Sequence, residues 1–294
     1  MRTTSAILMV VLVCVLVGSA SAAATVEVKV TRGAVAVAGA TVALEPPCTP
    51  NTATTGADGK ATFTVSMAGS YSAVASITIM GHTYAAIRAV SVAATGTFTV
   101  SLVLTESIIL SDYMPYAVGD VWTYKETSTD SSGAHSSTRT DKMIGWKGMG
   151  PDKAMITETR WTGSTDVMRS YNRMFSDLGW FIVGEDRPGG DSRSYVPQLH
   201  IRALLPVGYR FLTNTHYGSP GKVYSISGSV VGFDNITVPA GTFTHCAHIQ
   251  AKITDNGVVE DSDLWMAKGV GWVRTIDHSA TRSSQRDLVS KILH

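Results

Sequence analysis

The chain has 294 residues, which is enough for two domains of ordinary size, and its formal net charge is +1. Charged residues make up 16% of the sequence, and the Lys and Arg residues are scattered rather than clustered. A nucleic-acid-binding protein needs a basic face that neutralises phosphates, so this composition argues against a nucleic-acid partner.

The N-terminus has the layout of a secretory signal peptide. Arg2 supplies a positive charge, residues 6–17 form an unbroken apolar run, and Ala20-Ser21-Ala22 supplies the small residues that signal peptidase needs. We therefore predict a signal peptide over residues 1–22. The apolar run is shorter than the roughly 20 residues that span a bilayer, and no later stretch is longer, so we expect no stable membrane span in the mature chain.

Export is the location that this leader predicts, with a periplasmic, cell-surface or extracellular destination. Val13 precedes Cys14, where a lipoprotein leader has a small residue, so we do not expect a lipid anchor. Removal of the leader leaves Cys48 and Cys246, which lie far apart in the sequence. Two cysteines do not make a disulfide framework, so whether they pair stays open.

Residues 25–104 alternate between apolar and polar side chains and contain no Trp. The clearest runs are Val26, Val28 and Val30, then residues 61–65, then residues 98–104. A period of two buries one face of a β-strand, and turn sequences rich in glycine separate the runs. Short strands at this spacing predict a small antiparallel β-sandwich.

This first module resembles the carboxypeptidase-regulatory-like and bacterial Ig-like domains. The resemblance rests on VAVAGATVAL, TTGADGKATFTV and AGSYSAVAS, which occur in that order between residues 35 and 76. It covers nearly all of residues 25–104 and implies a sandwich that acts as a spacer or an adhesive unit. Fold alone does not fix a function.

Residues 105–115 are predicted to form a linker or a joining strand, and all six Trp residues follow it. Residues 116–294 are predicted to form one large antiparallel sheet, strongly curved or half-closed. Asp255-Asn256-Gly257 fits a tight hairpin, since Asn-Gly tolerates the positive φ angles of a type I′ turn. One helix is expected, from Gln198 to Leu205, with Pro206 ending it. The predicted strands are 118–129, 138–147, 153–162, 166–172, 180–185, 222–233, 242–254, 258–267, 271–277 and 282–292.

A second resemblance covers about 170 residues of this half. YAVGDVWTYKE, LLPVGYRF, VPAGTFTHCAHI and DLWMAKGVGWVRTI occur in this order. They resemble the signatures of a TapB-like group of bacterial envelope proteins of unknown function. The resemblance implies a half-barrel similar to those of lipoprotein carriers, and it implies no established reaction.

The common motifs of hydrolases, zinc peptidases, redox dithiols and phosphate-binding loops are absent from the sequence. The strand residues Cys246 and His248 share a face and offer two ligands to a soft metal, but the favoured interpretation is a buried Cys on a framework strand. The acidic residues Asp255, Glu260, Asp261 and Asp263 offer oxygen ligands for calcium, but a solvated strand face is favoured. Alternation places Asp261 and Asp263 on one face and Glu260 on the other. We therefore predict no catalytic residue, no metal site and no cofactor.

Aromatic residues give the strongest hint of a binding surface. A curved sheet with an aromatic inner face can hold a ligand, although any single Trp is more simply a core residue. The sequence does not identify individual ligand-binding residues. The set comprises Trp122, Tyr124, Trp146, Trp161, Trp180, Trp265 and Trp272.

Three functions are compatible with these features. The favoured one is a non-catalytic envelope or surface protein whose second domain binds an apolar or glycan ligand or another envelope protein. The first alternative is a structural or adhesive surface component, because exposed Thr- and Ser-rich strands pack against neighbours. The second is a hydrolase with its site at the rim of the curved sheet, suggested by the eight His residues and the acidic strand near Asp261.

Overall fold

The computed structural model describes residues 23–45, 51–149, 152–175, 178–218 and 221–294. The signal peptide predicted over 1–22, together with Cys14 and Cys48, lies outside the described residues. No helix in the described part of the chain is long and apolar enough to cross a membrane.

The described chain is built almost entirely from β-strands, which confirms the all-β prediction. The first strands are β1 (Ala24–Arg32), β2 (Val35–Ala36), β3 (Thr41–Glu45), β4 (Asn51–Thr54), β5 (Lys60–Val65), β6 (Gly69–Ile79), β7 (His82–Val92), β8 (Gly96–Val103) and β9 (Thr105–Ile109), followed by the short helix α1 (Leu110–Tyr113). The later strands are β10 (Val121–Asp130), β11 (Gly133–Met149), β12 (Asp152–Trp161), β13 (Val167–Phe175), β14 (Gly179–Asp186), β15 (Ser192–Arg202), β16 (Leu204–Pro206), β17 (Arg210–Tyr217), β18 (Lys222–Val238), β19 (Gly241–Asp255), β20 (Val258–Ala267), β21 (Gly271–Ser279) and β22 (Arg282–Ile292). A 3₁₀ turn covers Pro188–Gly190.

Two sheets pack around the first hydrophobic core. One sheet has β1 at its centre, with β2, β5 and β8 as its partners, and the other runs in the order β16-β9-β7-β6-β3-β4. Val26, Val28 and Val30 are fully buried between the sheets, as their alternation predicts. The strands predicted at 61–65 and 98–104 also bury alternate residues. These are Ala61, Phe63 and Val65 in the first run and Val100, Leu102 and Leu104 in the second.

The sandwich is not purely antiparallel, which corrects one part of the prediction. β8 runs parallel to β1 over eight residue pairs, from Ala24 with Gly96 to Thr31 with Val103. The reason is topological. The chain leaves β7 in one sheet and crosses to the other, so β8 enters beside β1 in the same direction.

Strands β10 to β15 and β17 to β22 form a closed barrel rather than the predicted half-barrel. The first strand, β10, pairs with β11 on one side and with the last strand, β22, on the other. Alternation along single strands carries no information about whether the first and last strands meet, so the sequence pattern did not predict closure. All ten strands predicted in this half are present.

The helix predicted from Gln198 to Leu205 is wrong, because this segment belongs to β15 and β16. Leu199 and Ile201 are buried while His200 is exposed, which is the period of a strand. The ladder to β14 and the stacking of the His200 ring on Phe181 at 4.2 Å stabilise the extended conformation. The hairpin at Asn256-Gly257 is confirmed, with φ angles of 49° and 89°.

The segment between the two halves positions one end of the barrel. β9 joins the second sheet of the sandwich and pairs with β16, whose sequence lies among the barrel strands. The helix α1 is fixed by backbone hydrogen bonds from Leu110 N to Ala203 O and from Gly269 N to Asp112 O, both 2.7 Å. We name this end of the barrel the capped end. The hairpins that join β10 to β11, β12 to β13, β19 to β20 and β21 to β22 lie at the opposite end, the far end.

Two glycines, one in the turn after β1 and one in the turn before β5, provide a test of how tightly the sandwich is packed. Gly33 and Gly59 both adopt left-handed φ angles, +60° and +74°. A Cβ atom on Gly59 would lie 2.5 Å from the carbonyl oxygen of Val30, whereas one on Gly33 would meet nothing within 4 Å. We expect Gly33→Ala to lower the free energy of unfolding by about 1–2 kcal/mol through backbone strain. Gly59→Ala should cost at least ~1 kcal/mol more because of the steric clash. Urea unfolding followed by circular dichroism measures both, and equal losses would contradict the packing described.

Candidate functional site

The barrel encloses a cavity of about 380 Å³. Most of the lining is apolar or aromatic, with contributions from the inward faces of the strands and from Leu110 and Met114 at the capped end. Four of the seven aromatic residues that the sequence singled out line the cavity, namely Trp122, Tyr124, Trp180 and Trp272. The aromatic inner face predicted from the sequence is therefore present, but it faces the lumen of a closed barrel.

The other three aromatic residues do not line the lumen. Trp146 is 54% exposed. The indole N–H of Trp161 donates to Glu126 at 3.2 Å. Trp265 stacks on His248 with ring centroids 4.4 Å apart.

Hydrogen bonds fix the aromatic wall near the point where the barrel closes. The indole N–H of Trp122 donates to the carbonyl oxygen of Val270 at 2.6 Å. The hydroxyl of Tyr124 donates to the carbonyl oxygen of Trp272 at 3.3 Å, and burial raises its pKa above the ordinary value. Buried polar groups with such partners hold a side chain in one orientation, so this wall is preorganised.

Six charged side chains also line the lumen. Glu185 forms an ion pair with Arg187 at 2.8 Å, and we call the other five the lumen charge cluster: Arg139, Asp141, Glu260, Asp277 and Arg286. Arg139 donates through Nε to Asp141 at 2.8 Å, and the hydroxyl of Thr159 donates to the same carboxylate oxygen at 2.7 Å. Asp277 accepts a hydrogen bond from Ser262 at 2.7 Å. All five of these hydrogen-bonding residues lie on strands and line the lumen, whose wall is mostly apolar.

Arg286 is the member of the cluster whose hydrogen bonding is incomplete. Its side chain is 22% exposed, and its Nε is buried without a hydrogen-bond partner in the described structure. The contact between its Nη2 and Asp277 Oδ2 is 3.8 Å, which is longer than a hydrogen bond. Burial lowers the pKa of Arg286, and the neighbouring positive charge of Arg139 lowers it further.

Glu260 is another member of the cluster whose pKa is shifted from its ordinary value. Its strand alternates as predicted, so Glu260 lines the lumen while Asp261 and Asp263 point outward. Burial raises the pKa of the Glu260 carboxyl, and the negative charge of Asp277 raises it further. The proton is therefore held more tightly in the folded protein than in an unfolded chain.

The four acidic residues weighed as calcium ligands lie in different environments. Asp255 accepts hydrogen bonds from Tyr217 and, at 2.7 Å, from Arg193. Asp261 forms an ion pair with Lys252 at 3.2 Å. Asp263 contacts His248 at 2.7 Å, and Glu260 lines the lumen. The structure does not bring these carboxylates together.

The strand residues weighed as soft-metal ligands also have separate surroundings. Cys246 is fully buried, and burial raises the pKa of its thiol to about 11. His248 lies between Asp234 and Asp263, with ring nitrogens 3.1 and 2.7 Å from the two carboxylates. His245 has a positive φ angle of 55° and contacts Glu106. Cys246 and His248 therefore do not converge on one site.

Sequence reasoning missed the lumen charge cluster, although a signal was present. Arg286 lies two positions before the buried Leu288, and Asp141 lies two positions before the buried Met143. A charged residue on the apolar face of a strand departs from the expected alternation, and buried charges are rare unless they are paired or functional. Assembly of the cluster from four strands depends on barrel closure, which no single strand reveals.

Comparison with known proteins finds similar solved structures but no family. No family model and no curated protein matches the chain. One similar solved structure is a candidate lipoprotein from Parabacteroides distasonis ATCC 8503, with 14% identity, a TM-score of 0.36, and coverage of 61% of this chain and 98% of that chain. Another is a candidate exported protein with a YmcC-like fold from Bacteroides fragilis NCTC 9343, with 13% identity, a TM-score of 0.34 and the same coverage. Because both TM-scores are below 0.5, these similarities carry no conclusion about fold or function.

The raised pKa of Glu260 predicts a pH-dependent gain in stability on its replacement. A carboxyl whose pKa is raised on folding stabilises the protein below its unfolded value, and this contribution is lost as the pH rises through the folded value. We therefore expect Glu260→Gln to raise the urea midpoint at pH 7 and to change it little at pH 4. Asp261→Asn is the matched control, since that neighbour points outward and pairs with Lys252. Equal effects of Glu260→Gln at the two pH values would contradict this assignment.

Proposed function

We propose that this protein is an exported, non-catalytic binding protein whose barrel lumen holds an elongated apolar molecule that ends in a hydrogen-bond-accepting group, such as a long-chain carboxylate. The observation that carries the proposal is the 380 Å³ lumen with its apolar wall and its polar cluster. Export is proposed from the predicted leader over residues 1–22, and the Ig-like and TapB-like resemblances remain predictions.

The size and composition of the lumen favour a small molecule over a protein partner. Cavities of roughly 300–1,000 Å³ with apolar walls and a few placed polar groups are typical of small-molecule sites. Trp122, Trp180 and Trp272 provide rigid apolar contact area, and the indole N–H groups of Trp122 and Trp180 are held by hydrogen bonds to Val270 and Asn172. A glycan would instead need many polar partners along its length, so an apolar body is favoured.

Arg286 favours an acceptor at the polar end of the ligand. Its side chain lines the lumen and is 22% exposed, so the guanidinium can donate a charge-assisted hydrogen bond to a carboxylate. The neighbouring acids have hydrogen-bond donors of their own, since Asp141 accepts from Arg139 and Thr159 and Asp277 accepts from Ser262. The hydrolase interpretation from the sequence stays a prediction and is not part of this proposal.

Filling the lumen should weaken binding without altering the outer surface. Ala251 lines the cavity, whereas its neighbour Gln250 is exposed on the other face of β19. We expect Ala251→Trp to weaken binding of a fluorescent long-chain fatty acid at least tenfold, and Gln250→Trp to leave it unchanged. Fluorescence titration of the full mature chain measures both. Absence of saturable binding by the unmodified protein would sink the proposal, as would equal effects of the two variants.

The head-group preference is tested separately at Arg286. We expect Arg286→Gln to weaken fatty-acid binding by about 10- to 100-fold, since a charged hydrogen bond contributes about 1.5–3 kcal/mol. The same variant should bind a fatty alcohol of equal length almost as well as the unmodified protein. Arg210→Gln is the control, because Arg210 is exposed at the start of β17. Competition against the fluorescent ligand gives the affinities, and an equal loss for acid and alcohol would contradict the assigned role.

A further inference from the structure

Three side chains converge where the sandwich meets the barrel. His82 begins β7 in the sandwich, Glu106 lies on the joining strand β9, and His245 lies on the barrel strand β19. Each side chain therefore comes from a different part of the chain. In the described residues, this is the group of at least three His, Cys, Asp or Glu side chains whose ligand atoms come close enough to share one ion.

The ligand atoms point at one another. His82 Nδ1 lies 2.6 Å from Glu106 Oε1, and His245 Nε2 lies 2.9 Å from the same oxygen. All three atoms lie within 4.8 Å of one another, and the two imidazole rings meet edge to face at 5.1 Å. Ligand atoms about 2.0–2.2 Å from a tetrahedral zinc ion are ~3.3 Å apart, so small side-chain shifts would admit the ion.

Surrounding residues hold His245 in this orientation. The ring of Phe233 stacks on the imidazole with centroids 4.2 Å apart and planes 2° from parallel. The backbone N–H of His245 donates to the Asn235 side chain at 3.0 Å, and the residue adopts a left-handed φ of 55°. A non-glycine residue seldom adopts this conformation unless its surroundings require it. Here the conformation interrupts the strand and accompanies the contact with Glu106.

The chemistry of the three groups fits a divalent ion of the zinc class. Two imidazole nitrogens and one carboxylate oxygen are a common protein ligand set for zinc, and water completes the coordination. The depression around them has a volume of about 210 Å³, and Asp112 and Thr244 line it. His82 and His245 remain 48% and 43% exposed, so an ion and its water ligand can reach them.

We propose that His82, Glu106 and His245 bind a zinc-class divalent ion that joins the sandwich to the barrel. The ion replaces two hydrogen bonds to Glu106 with three coordinate bonds. Since the ligands come from both halves of the chain, binding stabilises the junction by linkage. This inference is independent of the lumen ligand.

Zinc binding by the full mature chain tests the proposal. After dialysis against EDTA and then metal-free buffer, we expect one equivalent of zinc to bind in competition with a chromophoric chelator. His82→Ala and His245→Ala should each weaken binding at least tenfold, whereas His278→Ala, at the far end of β21, should not. Stoichiometric zinc that is unaffected by the first two variants would overturn the proposal, as would failure of the unmodified protein to bind.

Two further measurements separate loss of ligands from loss of folding. Glu106→Gln keeps the size and the hydrogen-bonding capacity of the side chain but removes its charge, so we expect a folded protein with at least tenfold weaker zinc binding. Cobalt in place of zinc should give the visible absorption of a tetrahedral site in the unmodified protein and lose it in His82→Ala. Zinc should also raise the melting temperature of the unmodified protein but not of the variants. A cobalt spectrum of purely octahedral, water-like character would count against the site.

Discussion

The ladder between β10 and β22 is the constraint on which the rest of the barrel depends. It pairs residues 121–130 with residues 282–292 and leaves no free edge at this point of the barrel. Tyr124 of β10 pairs with Arg139 on one side, and Glu126 pairs with Arg286 on the other. Closure therefore brings two guanidinium groups from opposite ends of the barrel sequence into one lumen. In an open sheet, the same side chains would be solvated and would offer no selective site.

Closure of the barrel also buries the charge cluster, so the partners of each charged group affect the stability of the fold. A buried charge is costly unless it is paired, and Arg286 lacks a full set of partners although Arg139 has Asp141. An apolar residue at position 286 would fill the lumen at lower cost. A ligand carboxylate in the lumen would give the partly exposed guanidinium of Arg286 a charged partner, so this charge and the apolar wall support the same proposed function.

Much of the fold could be predicted because many strands and turns depend on residues that are close in the sequence. The alternation at Val26, Val28 and Val30 and the Asn256-Gly257 turn each depend on neighbours in the sequence, and both predictions are confirmed. The error at Gln198–Leu205 arose because pairing with β14 outweighs a weak local preference. The proposed metal site depends instead on residues that are distant in the sequence. Glu106 lies 24 residues from His82 and 139 from His245, and no sequence period links them.

The junction and the lumen share structural elements, so the two halves are not independent modules. Leu110 and Met114, which follow β9 directly, line the cavity, and so does Leu205 of β16. Glu106 lies on β9, which is paired with both β7 and β16. A fragment that begins at Tyr116 would lose part of the lumen wall and expose the capped end. The sandwich therefore contributes to the lumen by positioning the segment that covers it, which a simple spacer would not do.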